Sequence, residues 1–351
     1  MADTFANTVL LEARLWQQDR MREKFDQRKA LTQIQKVFLD GQNYIPDLAA
    51  LKSATTRATS TLYLENKAYT VNTSKSCTPS GEVGSSNKAT LTWAQKGAAV
   101  KINKKQFQGN ELTGIQALAN AIYNAEKSIW YGASGMDAAM LAYLETNRTQ
   151  VNALSDGTSG STNTWVGAAS YHVTVPNANM ARFWNDMQAD MAVNNYTGKL
   201  WDIGNTWFMA QMGYYSSQGA ANSTNYAYQF DNIPAGIEFV PSNLVTSSGY
   251  NKYTHYVIPE GGVAALFWND PLNRNGNKDE AGEWTIMESM FFPGIFYDVF
   301  IKNSCADTTN DGGATQDSVN TVELTLNYAL TKQPISTSNE TPIFKYQILT
   351  I

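Results

Sequence analysis

Residues 60–71 read STLYLENKAYTV, residues 73–88 read TSKSCTPSGEVGSSNK, and residues 89–105 read ATLTWAQKGAAVKINKK. The flanking stretches carry β-branched, aromatic and aliphatic residues, whereas the middle is Ser, Gly, Lys and Thr, so two strands joined by a long polar tip are expected. A strand of about twelve residues, rising roughly 3.3 Å at each, would project about 40 Å. A two-stranded hairpin by itself is marginal in water, so this one needs a surface to lie on. Charge narrows the choice of surface. Residues 52–105 hold nine Lys/Arg against Glu65 and Glu82, a surplus of +7, while residues 1–51 balance at seven of each sign. Residues 106–351 hold ten basic and 22 acidic groups, a net of −12. A basic hairpin on an acidic body points to nucleic acid or to the body of a neighbouring copy, with a merely solvated loop as the plain alternative.

The chain has 351 residues, room for two ordinary domains or one with large excursions. Its 43% hydrophobic content supplies a core, and its 16% charged content is below the quarter or so usual in soluble domains. That deficit fits a surface used against other chains, and it also fits a secreted β protein. The start, MADTFANTVLLEARLWQQ, lacks a basic opening, a long apolar run and a small-residue cleavage site, so no secretory leader is expected. No apolar run approaches the roughly 18 residues of a membrane span, and no membrane partner is expected. Cys77 and Cys305 are the only cysteines, too few for a disulfide framework or a zinc site, which fits a reducing cytoplasm.

Along the chain, residues 8–40 are expected as a helix, with Val9, Leu10, Leu15, Trp16, Leu31, Ile34, Val37 and Phe38 set among dense charge and Gly41 placed to end it. Its middle, QQDRMREKFDQRK, is polar on most faces, as an arm lying on another subunit would be. Thr113–Gln116 has capping-box spacing. Leu112, Ile115, Leu118, Ile122 and Ile129 then recur at helical spacing to about Trp130, and Gly132 breaks the run. Ser134–Asp137 can cap a second helix with Met136, Met140, Tyr143 and Leu144 on one side. SDGTSGSTNTWVG reads as a loop. Met180, Phe183, Trp184, Met187 and Met191 stand at i, i+3, i+4, i+7 and i+11, an amphipathic helix whose stripe reads as core. Expected strands are WFMAQM, IEFVPSNLV, THYVIP, VAALFW, WTIMESMFF and FKYQILTI. The clearest is 321–331, where Val322, Leu324, Leu326, Tyr328 and Leu330 alternate with polar residues.

Catalytic signatures do not emerge. His172 and His255 form no ligand-spaced pair, and GxSxG, GxGxxG and GxxxxGK[ST] do not occur. Asp186 and Asp190 lie four apart on a helix, and Asp279, Glu280 and Glu283 cluster in a loop; a glycosidase needs two carboxylates at the right separation, yet solvated surface acids are the expected reading of both groups. The loops beginning at Asn273 and Asp307 have oxygen side chains in calcium-like positions, but the twelfth positions are Trp284 and Ser318 rather than a carboxylate. No catalytic, cofactor or metal residue is assigned.

The order of parts resembles the major capsid proteins of tailed bacteriophages, with the Hong Kong 97-type capsid fold: a charged helical arm, a long basic hairpin, the helix beginning QGNELTGIQALANAIYNAEKSIW, then SGMDAAMLAYLETNRTQV, a mixed region containing VTVPNANMARFWNDMQADM and IEFVPSNLV, and returning strands. The resemblance covers nearly the whole chain and implies an α+β fold. It implies an N-terminal arm at 1–51, an extended basic hairpin loop at 52–108, a peripheral domain with a spine helix at 109–164 and 271–351, and an axial domain at 165–270. The stretch 283–351 is long for a simple return, which leaves room for an outer-surface insertion near 303–320. The cross-link lysine known in some members is not carried over to any residue here.

The function implied is a structural subunit assembling into pentamers and hexamers of an icosahedral shell around double-stranded DNA. The virion would be its location, with assembly in the host cytoplasm. Portal, scaffold and decoration proteins are the further partners implied, with weak, sequence-independent contact to DNA. Candidate intersubunit contacts are Tyr63, Tyr69, Leu91 and Trp93 for apolar burial and Lys67, Lys88, Lys96 and Lys101 for acidic groups of the next copy. Arg20, Arg22 and Lys24 of the arm join them. The alternatives are a β-rich carbohydrate-binding or adhesion module, from the abundant Tyr, Trp, Asn and Thr, and a glycoside hydrolase using one of the carboxylate pairs.

Overall fold

A computed structural model describes Leu15, residues 34–64, 71, 73–74, 77, 81, 86–103, 111–131, 134–148, 163–166, 171–194, 196–219, 233–245, 251–307, 316–333 and 342–349. In chain order the elements are α1 (Ile34–Asp40), a 3-10 turn (Gly41–Tyr44), α2 (Leu48–Ser53), β1 (Ser60–Leu64), β2 (Ser86–Thr90), β3 (Trp93–Asn103), α3 (Glu111–Tyr131) and α4 (Met136–Asn147). Then come β4 (Thr164–Val166), β5 (His172–Val175), a 3-10 turn (Asn177–Arg182), α5 (Phe183–Val193), β6 (Leu200–Asn205), α6 (Thr206–Gly219), β7 (Ile237–Ser242), β8 (Asn251–Pro259) and β9 (Val263–Trp268). The chain closes with α7 (Pro271–Arg274), β10 (Asn277–Lys278), β11 (Glu283–Glu288), β12 (Phe296–Asp307), β13 (Gln316–Lys332) and β14 (Phe344–Leu349). Helices and mixed sheets in this arrangement make an α+β fold.

Two six-stranded sheets carry the body. The first runs β10-β11-β12-β13-β3, with β9 also paired to β13; the second runs β4-β5-β14-β8-β6-β7. In the first sheet β13 is the organising strand. On one edge it pairs with β3 from Val319↔Asn103 to Ala329↔Trp93. On the other it pairs first with β12, from Gln316↔Asp307 to Thr325↔Asp298, and then with β9, from Asn327↔Trp268 to Lys332↔Val263. In the second sheet β5–β14 and β6–β7 are parallel and the other pairs antiparallel.

The two sheets share a core. On β6 and β8, Trp201, Ile203, Tyr256 and Ile258 enter one cluster with Leu118, Ile122, Ile129 and Trp130 of α3, Met136, Met140 and Leu144 of α4, and Val322, Leu324 and Leu326 of β13. The opposite face of the same two strands, with Leu200, Tyr253 and Val257, packs on Met180, Phe183, Trp184, Met187 and Met191 and on Phe344, Tyr346 and Ile348. Coverage on both faces is why these strands read as near-continuous apolar runs. The chain crosses from β8 in the second sheet to β9 in the first through Glu260-Gly261-Gly262, where Gly261 holds φ +78. Glycine takes that left-handed conformation without the penalty a Cβ brings.

Several expectations need correcting. WFMAQM is helical, within α6: Phe208 and Met212, four apart, are buried, whereas Trp207 and Met209 are exposed. Asn205 Oδ1 accepts from Trp207 N at 2.8 Å, a cap that alternation counting overlooks. Thr164–Val166, inside the expected loop, is an edge strand on β5. The helix expected from Thr113 already includes Glu111. Of residues 8–40 only Leu15 and α1 lie within the described residues, and Ile34, Val37 and Phe38 are buried in the core. Gly41 does follow α1, but its importance is proximity: a Cβ there would stand 1.7 Å from the Val263 carbonyl oxygen. Residues 303–307 and 316–320, where an insertion is expected, continue the β12–β13 ladder. The final strand, β14, lies between β5 and β8 of the second sheet.

Candidate intersubunit surface

The stretch read as one long hairpin divides in two. β1 and β2 pair over five residues, Ser60↔Thr90 to Leu64↔Ser86, as a separate two-stranded sheet. After Leu91 and Thr92 the same chain becomes β3, which leaves β1 and joins β13. The described hairpin is therefore shorter than twelve residues per strand. Its second strand is continuous with the edge of the body.

Its root is seated by contacts within the chain. Leu91 is buried with Ile45, Leu51, Ala264, Leu266 and Ala329, with Ala58, Ala89 and Trp93 packed around them. Trp93 Nε1 donates to the Ala58 carbonyl at 2.6 Å, and Thr61 Oγ1 donates to Asp47 Oδ1 at 2.8 Å. Below these, Asn327 Oδ1 accepts from Arg57 at 2.8 Å and from Gln95 Nε2 at 2.7 Å. Asn327 Nδ2 donates to Asp298 Oδ2 at 2.7 Å, and burial pushes the Asp298 carboxyl up. The Arg57 guanidinium also lies 5.2 Å from the Trp268 ring centroid.

The candidate contact residues thus fall into groups. Leu91, expected at an interface, is buried inside the subunit against α2 and β9, and Trp93, also expected there, is partly buried beside it. Lys88 is exposed on β2 opposite Leu62, itself 41% exposed. Tyr63 occupies the β1 position opposite Asn87. Lys96 and Lys101 belong to β3, opposite Leu326 and Thr321, along the edge strand of the first sheet. Lys67, Tyr69, Arg20, Arg22 and Lys24 lie outside the described residues.

Three polar clusters escape sequence reading. Glu126 of α3 is fully buried, and its Oε1 accepts from Ser289 Oγ at 2.6 Å, Met290 N at 2.8 Å and Tyr297 OH at 3.1 Å. Its Oε2 has no partner. Burial raises this carboxyl to about 7 although those hydrogen bonds pull it down. The available signal was an acid four residues after Ile122, on the apolar stripe itself. Glu145, at the end of α4, accepts from Tyr256 OH at 2.5 Å, from Lys345 Nζ at 3.1 Å and from Arg148. Burial pushes Glu145 up, but these donors outweigh it and hold the carboxyl at about 2. Glu238 of β7 bridges Lys36 of α1 at 2.5 Å and Lys199 at 2.9 Å, with the Lys199 ammonium 3.8 Å from the Trp201 ring.

The carboxylates considered for hydrolysis divide, one pair departing from the expected solvated placement and the loop acids keeping it. Asp186 and Asp190 are buried rather than solvated: Asp186 pairs with Arg182 at 3.0 Å, and Asp190 accepts from Tyr346 OH at 3.4 Å. Burial and the Asp186 charge raise Asp190 to about 7. Asp279 and Glu280 are exposed; Asp279 Oδ1 accepts from Ala281 N and Gly282 N, closing a turn. His255 is wholly buried, with Nδ1 2.9 Å from Asp202 Oδ1, while Trp184 Nε1 donates to Asp202 Oδ2 at 2.8 Å. Among the described residues no three His, Cys, Asp or Glu side chains gather as a metal site would need, and no helix is long and apolar enough to cross a membrane.

No family model and no curated protein matches the chain. Solved structures similar to it include one from Mycobacterium phage Adephagia (10% identity, 87% of this chain and 90% of that one, TM-score 0.47). The cyanophage Pam1 capsid asymmetric unit is another (11%, 89% and 92%, TM-score 0.44), and the capsid of Ralstonia phage GP4 a third (9%, 85% and 86%, TM-score 0.42).

Proposed function

We propose that the chain is a shell subunit of a tailed bacteriophage, built on the Hong Kong 97-type plan and working as a structural protein rather than an enzyme. The observation that carries the reading is the β1–β2 sheet: two strands that, among the described residues, join no other strand and stand on a root locked into the body. Such a pair is marginal alone, and a second copy is the covering its basic residues fit, given the acidic balance of residues 106–351. Identical contacts repeated about symmetry axes close a shell.

In this reading the chain forms pentamers and hexamers around double-stranded DNA, with residues 1–51 as arm, 52–108 as extended loop, 109–164 and 271–351 as peripheral domain and 165–270 as axial domain. α3 is the spine helix. Tyr63, Lys67, Tyr69 and Lys88 meet the next subunit, and Lys96, Lys101, Arg20, Arg22 and Lys24 add basic contacts. Portal, scaffold and decoration proteins are the other expected partners, and contact with DNA is weak and independent of sequence.

The test replaces residues 66–84 with a two-residue Asn-Gly turn. The variant is expected to unfold at the same temperature as the parent while rings and shells vanish from sizing columns and negative-stain images. A parent that remains a monomer at every concentration and ionic strength refutes the proposal.

A further inference from the structure

Beside the hairpin root, a cleft of about 330 Å³ opens between α2, the end of β9, α7 and the β11–β12 strands. Its walls are apolar at Phe267, Ile286 and Phe296, and two cations reach it, Lys52 and Arg274. Among the described residues the Arg274 guanidinium is held by main-chain oxygens alone: Lys52 O at 2.7 Å, Ser53 O at 3.2 Å and Asn269 O at 2.9 Å. Lys52 Nζ donates to the neutral Gln42 amide oxygen at 3.3 Å. Among the described residues neither cation has a carboxylate among its bonds. Burial lowers the Lys52 ammonium with no acid to offset it. A half-buried charge in that state is relieved by an incoming anion.

We propose that this cleft receives a carboxylate side chain from a second copy of this chain. The inference rests on the shell reading and names a contact that the hairpin does not make. The argument for this occupant is charge complementarity. Residues 106–351 carry twelve more acidic than basic groups. Exposed carboxylates such as Glu280 and Glu323 are available on a neighbouring body. The apolar walls shield such a pair from solvent, which strengthens it relative to a surface ion pair.

Particles assembled from an equal mixture of light and nitrogen-15-labelled subunits are treated with a zero-length carbodiimide, and the joined peptides are read by mass spectrometry. The expected result is a Lys52 peptide coupled to an Asp or Glu peptide of the opposite label. Lys52→Met, which keeps the aliphatic stem, is expected to raise the protein concentration needed for assembly several-fold without lowering the unfolding temperature of the free subunit. Lys52→Arg restores the charge and should assemble as the parent does. Particles in which Lys52 couples only within its own chain or not at all, or in which Lys52→Met assembles at the parental concentration, overturn the cleft proposal and leave the shell reading standing. That outcome includes a cleft filled by a free anion. A parent that never assembles removes both.

Discussion

Replacing Glu126 by Gln should remove a specific pH dependence from the stability of the free subunit. Glu126 is fully buried, and its carboxyl lies at about 7 when folded against 4.5 as the reference for the unfolded chain. The native state therefore holds this proton more tightly than the unfolded state. Its stabilising contribution is complete below pH 4.5 and declines as pH rises, levelling off above about 7, where the charged form is buried at a cost. At about 1.4 kcal/mol per pH unit, that interval amounts to about 3 kcal/mol. Gln keeps the acceptor that Ser289, Met290 and Tyr297 use and cannot ionise. Urea unfolding of parent and variant at pH 4.5, 5.5, 6.5 and 8 supplies the comparison. Asp137 and Asp190, raised by burial to about 6 and about 7, slope the parent curve in the same direction but cancel in the difference. The variant should gain on the parent by about 3 kcal/mol between the two ends of the range. A difference that stays flat, or that favours the parent more strongly at pH 8, refutes the reasoning.

Glu145→Gln should act at the other end of the scale. The parent loses stability as pH falls from 4.5 towards about 2, and the variant, already without its ion pairs, should show a shallower acid transition by circular dichroism. Because that side chain is 40% exposed, the change should be small beside the Glu126 effect. Gly41→Ala drives a methyl into the Val263 carbonyl, a backbone atom with no rotamer to escape through, and should cost about 3 kcal/mol or more in thermal unfolding. Leu91→Ala should cost about 2–4 kcal/mol and speed protease cleavage near residues 54–59 ahead of global unfolding. Equal rates in parent and variant would mean that Leu91 does not hold the root.

The sequence was most readable where one face of an element meets one core. The α3 stripe, the Met180–Met191 helix and the alternation at 321–331 each obey a single period, and each is found where that period places it. Reading weakened where an element is covered on both faces or where a partner comes from far along the chain. Nothing local in WAQKGAAVKIN announces that it will pair with residues 319–329 instead of returning along residues 60–71. α6 was misread because Trp207 and Met209 are apolar yet exposed, so that with Phe208 they imitate the continuous apolar run of a buried strand. The candidate surface was legible as charge but not as geometry. Lys88 stands on the hairpin as expected, whereas Leu91 and Trp93 turn inward at a kink that composition does not reveal.

The continuity of β2 with β3 has a mechanical meaning. A pull on the hairpin along its own strands is transmitted directly into β3, whose eleven residues lie antiparallel against β13. The load enters that ladder at its Trp93 end, opposite Ala329. β13 in turn passes the load to β12 and β9 on its far edge. Tension arriving at β1 and β2 thus enters the first sheet through one strand and is shared from β13 between two others.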